Sequence, residues 1–166
     1  MNIKLNQKSD ILEQIFSRLK AHFPTREQSL LQSFINAIYR DVSIVDLATI
    51  SPDDLSGLTV SLWREVHQWK GEIAKVKVFN PDVEQDEWQS SHTVISVLSR
   101  NIPFVIDTVK ITLNKQNTKL HRIFYSEIHS ERGASGKLKK LNTENDTELL
   151  LYIEIDQTTS STERAK

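Results

Sequence analysis

The sequence predicts an α+β fold, with helices in its N-terminal half followed by a β-β-α-β-β-β run that builds one sheet. Two observations predict it. Apolar side chains recur at helical spacing as far as Trp69 and at strand spacing from Lys75 onward. Helix-start chemistry is concentrated in the first half, whereas turn clusters such as Asn80-Pro81-Asp82 and Gly133 to Gly136 lie in the second. The 166 residues are 38% apolar and 26% charged, which supplies a core and argues against disorder over most of the length.

The elements follow in order. Ser9 can cap a helix whose stripe is Ile11, Leu12, Ile15, Phe16 and Leu19. Pro24 separates it from a second helix, where Thr25 and Gln28 have the spacing of a capping box and Leu30, Leu31, Phe34, Ile35 and Ile38 share a face. Ser51 caps a third, with Pro52 in its first turn and Asp53 and Asp54 against the positive end of the dipole. Leu55, Leu58, Leu62, Val66 and Trp69 form its stripe, and Gly71 is the expected stop. Lys75 to Phe79 then alternates as a strand, with Val76 and Val78 on one face. His92 to Ser99 is β-branched and apolar, as for a strand covered on both faces. Pro103 opens a helix with Val105, Ile106, Val109 and Leu113 on one side, and Leu120 to Ile128 returns as a strand. The two strands of this unit are expected to be parallel, joined by a right-handed crossover. Lys137 to Leu141 and Leu149 to Ile155 complete the set, with a turn at Asn142 to Asp146 between them, and helices are expected over one face of the sheet.

Composition excludes several functions. Cysteine is absent, so disulfides, thiol catalysis and cysteine-ligated zinc or iron–sulfur centres are excluded together, in keeping with a reducing compartment. The formal net charge of −1 provides no broad field for nucleic acid or anionic membranes. No apolar run approaches a membrane span, and the N-terminus has no signal-peptide core, so a cytoplasmic protein is expected. The four glycines form neither a dinucleotide fingerprint nor a P-loop, so NAD or ATP is not held in either of those ways. The five histidines lack metal-ligand spacing, and neither a metal nor a catalytic group is expected. Ser91 and His92 are adjacent, which on a strand would turn them to opposite faces. Lys137, Lys139 and Lys140, with Phe124 and Tyr125, could furnish an RNA platform, but no RNP-like aromatic run accompanies them; lysines that keep a hairpin soluble are the preferred reading.

The most specific local signal is the loop Asn101-Ile102-Pro103-Phe104 leading to Asp107. A strand ends there and a helix begins, so first-turn N–H groups and the dipole favour a carboxylate. A free amino acid could dock its carboxylate on them, with Asn101 or Asp107 meeting its ammonium. Ordinary capping by Asn101 is the simpler alternative. His92, which opens the preceding strand, is retained as a further candidate.

At this loop the sequence resembles a known family. The strand–Asn-x-Pro–helix pattern resembles ACT domains, small amino-acid-sensing modules of a ferredoxin-like fold. A longer series is more specific. Val78-Phe79-Asn80-Pro81, Trp88 to Val94 (WQSSHTV), Asn101 to Val109 (NIPFVIDTV), the Arg132 to Leu138 turn and Ile153-Glu154-Ile155-Asp156 occur in order. Together with the helix from Ser51 through Trp63, they resemble the N-terminal region of the large bacterial NAD-specific glutamate dehydrogenases. The resemblance implies a parent enzyme that oxidises L-glutamate to 2-oxoglutarate and ammonia with NAD, its catalytic lysine and dinucleotide fold lying downstream. The resemblance covers the chain from about Ser51 to Asp156; with the periodicity, it divides the sequence into residues 1–72 as a helical segment, 73–157 as the ACT-like domain and 158–166 as a polar tail or linker start. A complete ACT unit is β-α-β-β-α-β. Here the second helix and last strand are not evident, and an extra strand at Lys75 to Phe79 precedes the unit. Two roles therefore compete: amino-acid sensing at the Asn101 loop, and assembly through contacts between subunits of a homo-oligomer. The expected partners are the rest of the parent enzyme and an amino-acid effector.

Overall fold

A computed structural model describes residues 2–144 and 147–158, with side chains from residue 7 onward. The helical half contains α1 (Asn2–Leu19), a 3-10 turn (Lys20–His22), α2 (Thr25–Ile38), α3 (Ile44–Ala48) and α4 (Pro52–His67). Ser9 lies inside α1 and does not cap it. The Thr25–Gln28 box does not form. Pro24, with its φ fixed at −55°, takes the capping position, so Thr25 is already helical. Gln28 Nε2 instead donates to the carbonyls of Lys20 and Phe23, at 2.9 and 3.2 Å, and closes the preceding turn. Ser51 does cap α4, its hydroxyl accepting the Asp54 N–H at 3.1 Å. That helix stops at His67, short of Gly71, because Gln68 turns extended and bridges to Lys137. The short α3, capped by Ser43, has too little apolar periodicity to be read from sequence.

The second half forms β1 (Ala74–Phe79), α5 (Val83–Asp86), β2 (Thr93–Arg100), α6 (Val105–Lys115), β3 (Leu120–Arg132), β4 (Leu138–Leu141) and β5 (Thr147–Ile155). The predicted turn at Asn142 to Asp146 lies partly outside the described residues, and the predicted tail lies outside them beyond Thr158. The strands make one antiparallel sheet in the order β1-β2-β5-β3-β4. β5 inserts between β2 and β3 and runs opposite to both. The β2-α6-β3 unit is therefore a split β-α-β with parallel strands, the ferredoxin-like arrangement expected of an ACT-like unit. The additional strand, β1, occupies the edge beside β2, where a β-α-β-β-α-β unit would place its last strand.

The sheet is covered on both faces, not on one. On one face, Val94, Leu98, Phe124, Ile128, Leu150 and Tyr152 join the residues of α1–α4 in one continuous core. On the other face, Leu113 of α6 packs with Ile153 and Ile155, backed by Ile95, Val109 and Ile123. β5, at the centre, is consequently buried on both sides. The β1 edge differs: Val76 is 58% exposed on the α6 face.

Candidate functional site

The candidate loop leaves the upper end of β2. Asn101 does not cap the helix that follows. Its backbone N–H donates to Thr147 O at 3.0 Å and so prolongs the β2–β5 ladder by one bond. Pro103 lies in a turn, and Phe104 takes the capping position with φ +66°. A phenylalanine in the left-handed region carries backbone strain. Its side chain has no oxygen to offer, so no side chain caps α6. The first-turn N–H groups of Val105, Ile106 and Asp107 therefore face outward at a positive dipole end.

These residues border a cleft of about 370 Å³, whose lining includes Asn101, Phe104, Asp107, Lys110, Tyr125 and Glu127. Asn101, Ile102, Pro103, Phe104 and Asp107 are all exposed, Phe104 at 76%. Asn101 and Ile102 also border a second cleft of about 490 Å³, lined by Lys70, Arg100, Arg132 and Glu148. The arrangement offers amide donors and a lysine for an anion, two carboxylates for a cation, and an aromatic wall.

His92 does not belong to it. It precedes β2 at the opposite end of the strand, about 26 Å from the loop at ~3.3 Å per residue over eight residues. There its ring lies 4.1 Å from that of His121, and its Nδ1 lies 3.5 Å from Glu154. His121 Nε2 meets Asp156 at 2.6 Å, and this hydrogen bond lowers the Asp156 pKa. Ser91 and His92 sit in a bend, not a strand, which brings the serine hydroxyl to 3.4 Å from Nδ1. The same nitrogen faces Glu154, so no relay through opposite ring nitrogens exists, and nucleophilic catalysis has no geometry here.

Sequence reasoning missed two buried carboxylates of β5, Glu148 and Glu154, each 3% exposed. Arg132 grips Glu148 through Nε and Nη2, both at 2.6 Å, while Ser130 also donates to it. The same guanidinium donates to Val66 O and Gly136 O at 2.8 and 3.0 Å, joining the end of α4 to the β3–β4 turn. Glu154 accepts from Arg122 at 2.6 Å and from the Tyr152 hydroxyl at 2.5 Å. Burial, then the Glu154 charge, drives the Tyr152 pKa upward, so this phenol is a fixed donor. The legible signal was the pair of glutamates within an otherwise apolar strand, matched by arginines on its neighbour.

The lysine-rich hairpin forms no aromatic platform. Phe124 is buried in the helical-face core against Tyr152, and Tyr125 points to the other face. Among the described residues no cluster of three or more His, Asp or Glu could hold a metal, and no helix is long and apolar enough to cross a membrane.

A family model described as "Glutamate dehydrogenase, ACT1 domain" matches residues 34–166. A protein of Halomonas elongata named NAD-specific glutamate dehydrogenase is 33% identical over 154 residues, covering 89% of this chain and 10% of that protein. A protein of the same name from Pseudomonas aeruginosa is 30% identical over 156 residues, covering 90% and 10%. The chain thus spans about a tenth of the length of the curated relatives it matches. No solved structure matches it.

Proposed function

Because the chain belongs to the glutamate dehydrogenase ACT1-domain family, we propose that it is a regulatory segment of a larger NAD-specific glutamate dehydrogenase and that a free amino acid is its effector. In this reading the parent oxidises L-glutamate to 2-oxoglutarate and ammonia, and NAD and the catalytic lysine belong to later parts of that enzyme. The observation that carries the sensing role is the uncapped start of α6 above a cleft of both charge signs. The effector carboxylate would take the N–H groups of Val105 to Asp107, aided by Lys110. Its ammonium would meet Asp107 and Glu127. Charged hydrogen bonds contribute ~1.5–3 kcal/mol each, so two or three support weak, reversible binding.

A thermal-shift series over the common amino acids tests this. An effector at ten times its Kd adds about 1.4 kcal/mol, a rise of roughly 3–6 °C in melting temperature for a domain of this size. Asp107→Asn should remove most of that rise. If no amino acid at millimolar concentration shifts the transition, sensing is excluded for this chain. A shift that persists in Asp107→Asn would move the site elsewhere.

The exposure of Phe104 and Ile102 favours a second reading, a contact between subunits. That reading requires self-association that is indifferent to amino acids and is weakened by Phe104→Ser in sedimentation velocity.

A further inference from the structure

The cleft of about 490 Å³ carries positive charge that the fold itself does not use. It opens where the segment after α4, the upper end of β2 and the β3–β4 turn meet. Its lining holds three cations, Lys70, Arg100 and Arg132, against one carboxylate among the described residues, Glu148. Arg100 and Glu148 stand opposite each other across the β2–β5 ladder, so their side chains leave the sheet on the same face. An ion pair between them is the obvious pairing, and it does not form. Arg132 reaches across from β3 and takes both Glu148 oxygens, one through Nε and one through Nη2. That pair is balanced within itself. The Arg100 guanidinium is left exposed, with no hydrogen-bond or ion-pair partner among the described residues, and the Lys70 ammonium is exposed and equally free.

The two free charges are close together. Arg100 Nη2 lies 3.9 Å from the point where a Cβ of Gly71 would stand, next to Lys70 in the chain. Gly71 has φ +78°, a conformation that keeps other side chains out of this spot. Lys139 adds a further cation at the rim, its Nζ lying 3.9 Å from the corresponding point on Gly133. The backbone N–H groups of Lys70, Gly71 and Ala134 donate to no backbone carbonyl among the described residues. Trp69 forms part of the wall, its ring 5.5 Å from the Arg132 guanidinium, and its Nε1 is buried without a hydrogen-bond partner. Cations and N–H donors therefore gather at the opening, while the lining carboxylate is already neutralised.

We propose that this cleft binds a phosphoryl group, as inorganic phosphate or on a small phosphomonoester. Charge selects the chemistry. Two adjacent uncompensated cations call for a compact dianion. A phosphomonoester carries about −1.5 to −2 on one tetrahedral group at neutral pH, whereas a carboxylate carries a single charge. An arginine fork offers two parallel donors to such oxygens, and a lysine adds a point charge. Free N–H groups beside glycine supply further donors with no side chain in the way. The volume falls within the ~300–1,000 Å³ of small-molecule sites and is many times the ~30 Å³ share of one water, so an ester with an organic body fits as well as the free ion. The site is separate from the one proposed for the amino acid. The two clefts share Asn101 and Ile102, whereas Asp107 and Lys110 line only the other. The inference therefore does not rest on the sensing reading.

Isothermal titration calorimetry on the 166-residue chain tests it, in a phosphate-free buffer at physiological ionic strength. The probes are inorganic phosphate, glycerol 3-phosphate and, for comparison, succinate. Phosphorus NMR line broadening repeats the two phosphoryl titrations in case the heat is small. One of the phosphoryl compounds should bind saturably, one to one. Arg100→Gln should weaken that binding by about tenfold or more, which corresponds to ~1.4 kcal/mol, and Lys70→Gln should weaken it as well. Lys140→Gln removes a charge from the same hairpin without touching the cleft and should leave binding unchanged. The urea midpoint of Arg100→Gln should match that of the unsubstituted chain, because its guanidinium holds no partner; if that variant unfolds, Lys70→Gln carries the test. Inorganic phosphate that binds as tightly as the ester identifies the free ion as the ligand, and a tighter ester identifies a phosphorylated small molecule; either bears the proposal out. Absence of saturable binding at millimolar concentration by both methods overturns it. So does binding that Arg100→Gln and Lys70→Gln leave intact, or that Lys140→Gln weakens equally. Succinate that binds as tightly as the phosphoryl compounds also overturns it and gives the cleft to dicarboxylates.

Discussion

His67, in the last turn of α4, is a side chain whose surroundings suit only its neutral form. Its ring stacks on Trp63 with centroids 4.9 Å apart, and its Nε2 is buried with no hydrogen-bond partner. Burial lowers its pKa first, the Lys137 and Arg132 charges lower it further, and Glu27 opposes them. The unfolded chain therefore takes the proton first as pH falls. This contribution to stability is complete above the ordinary histidine value of about 6.5, is lost as pH drops from there to the folded-state value, and stays lost below it. Thermal melts at pH 7.5 and 5.5 should show a fall in melting temperature that shrinks in His67→Phe, which keeps a ring on Trp63 and cannot titrate. An identical fall in both proteins would exonerate His67. Tyr39 is a buried counterpart with a defined partner, its hydroxyl lying 2.9 Å from that of Thr59. Burial raises its pKa, so it remains a neutral phenol at any ordinary pH.

At the scale of the element, β5 is decisive because it is buried from both sides. In the sequence, Leu149, Leu151, Ile153 and Ile155 alternate along this strand, which predicts Leu151 and Ile153 inward, with Leu150 and Tyr152 in the core only if the register shifts by one. Both sets are in fact buried, one under α6 and the other under the helical layer. Ile153→Ala should cost about 2–5 kcal/mol in urea unfolding, the range for a large-to-small change in a core. An unchanged midpoint would mean that α6 does not hold the α6-face core together. Strands and long helices were legible wherever an apolar period ran for several turns or pleats, as in α2, α4 and β3. The elements that escaped, α3 and α5, are five and four residues long, too short for a period to repeat. The site was legible at the strand-to-helix junction, because proline after a β-branched run marks a boundary. What capped that helix was not. Asn101 is drawn into the sheet by Thr147, a pairing between residues 46 apart that no local pattern announces. His92 was misplaced for the same kind of reason: its neighbours, His121 and Glu154, come from strands set beside it by the insertion of β5.

The molecule as a whole is held by the face that the helices cover. Val94 and Leu98 of β2, Phe124 and Ile128 of β3, and Leu150 and Tyr152 of β5 share one cluster with Phe34, Ile38, Leu58 and Leu62. Polar ties reinforce it: the Ser126 hydroxyl donates to Ile38 O at 2.6 Å, Arg132 reaches Val66 O, and Trp88 Nε1 donates to Ser61 Oγ at 3.0 Å. Gly57 permits that last contact, since a Cβ there would stand 2.5 Å from Trp88 Cβ. A sheet stripped of the helices would present six large apolar side chains to water, at about 25 cal/mol per Å² of apolar surface, and would leave the Arg132–Glu148 pair short of one of its anchoring carbonyls. The helical half and the sheet are therefore expected to unfold in a single transition. A chain beginning at Ile73 provides the test. It retains all five strands and α6, which suffices for a sandwich that needs only one helical face. It should nonetheless lack a cooperative melt and dispersed amide resonances, and should bind a hydrophobic dye. If it instead folds with a sharp transition, the α6-face core is self-sufficient and the helices are an appendage.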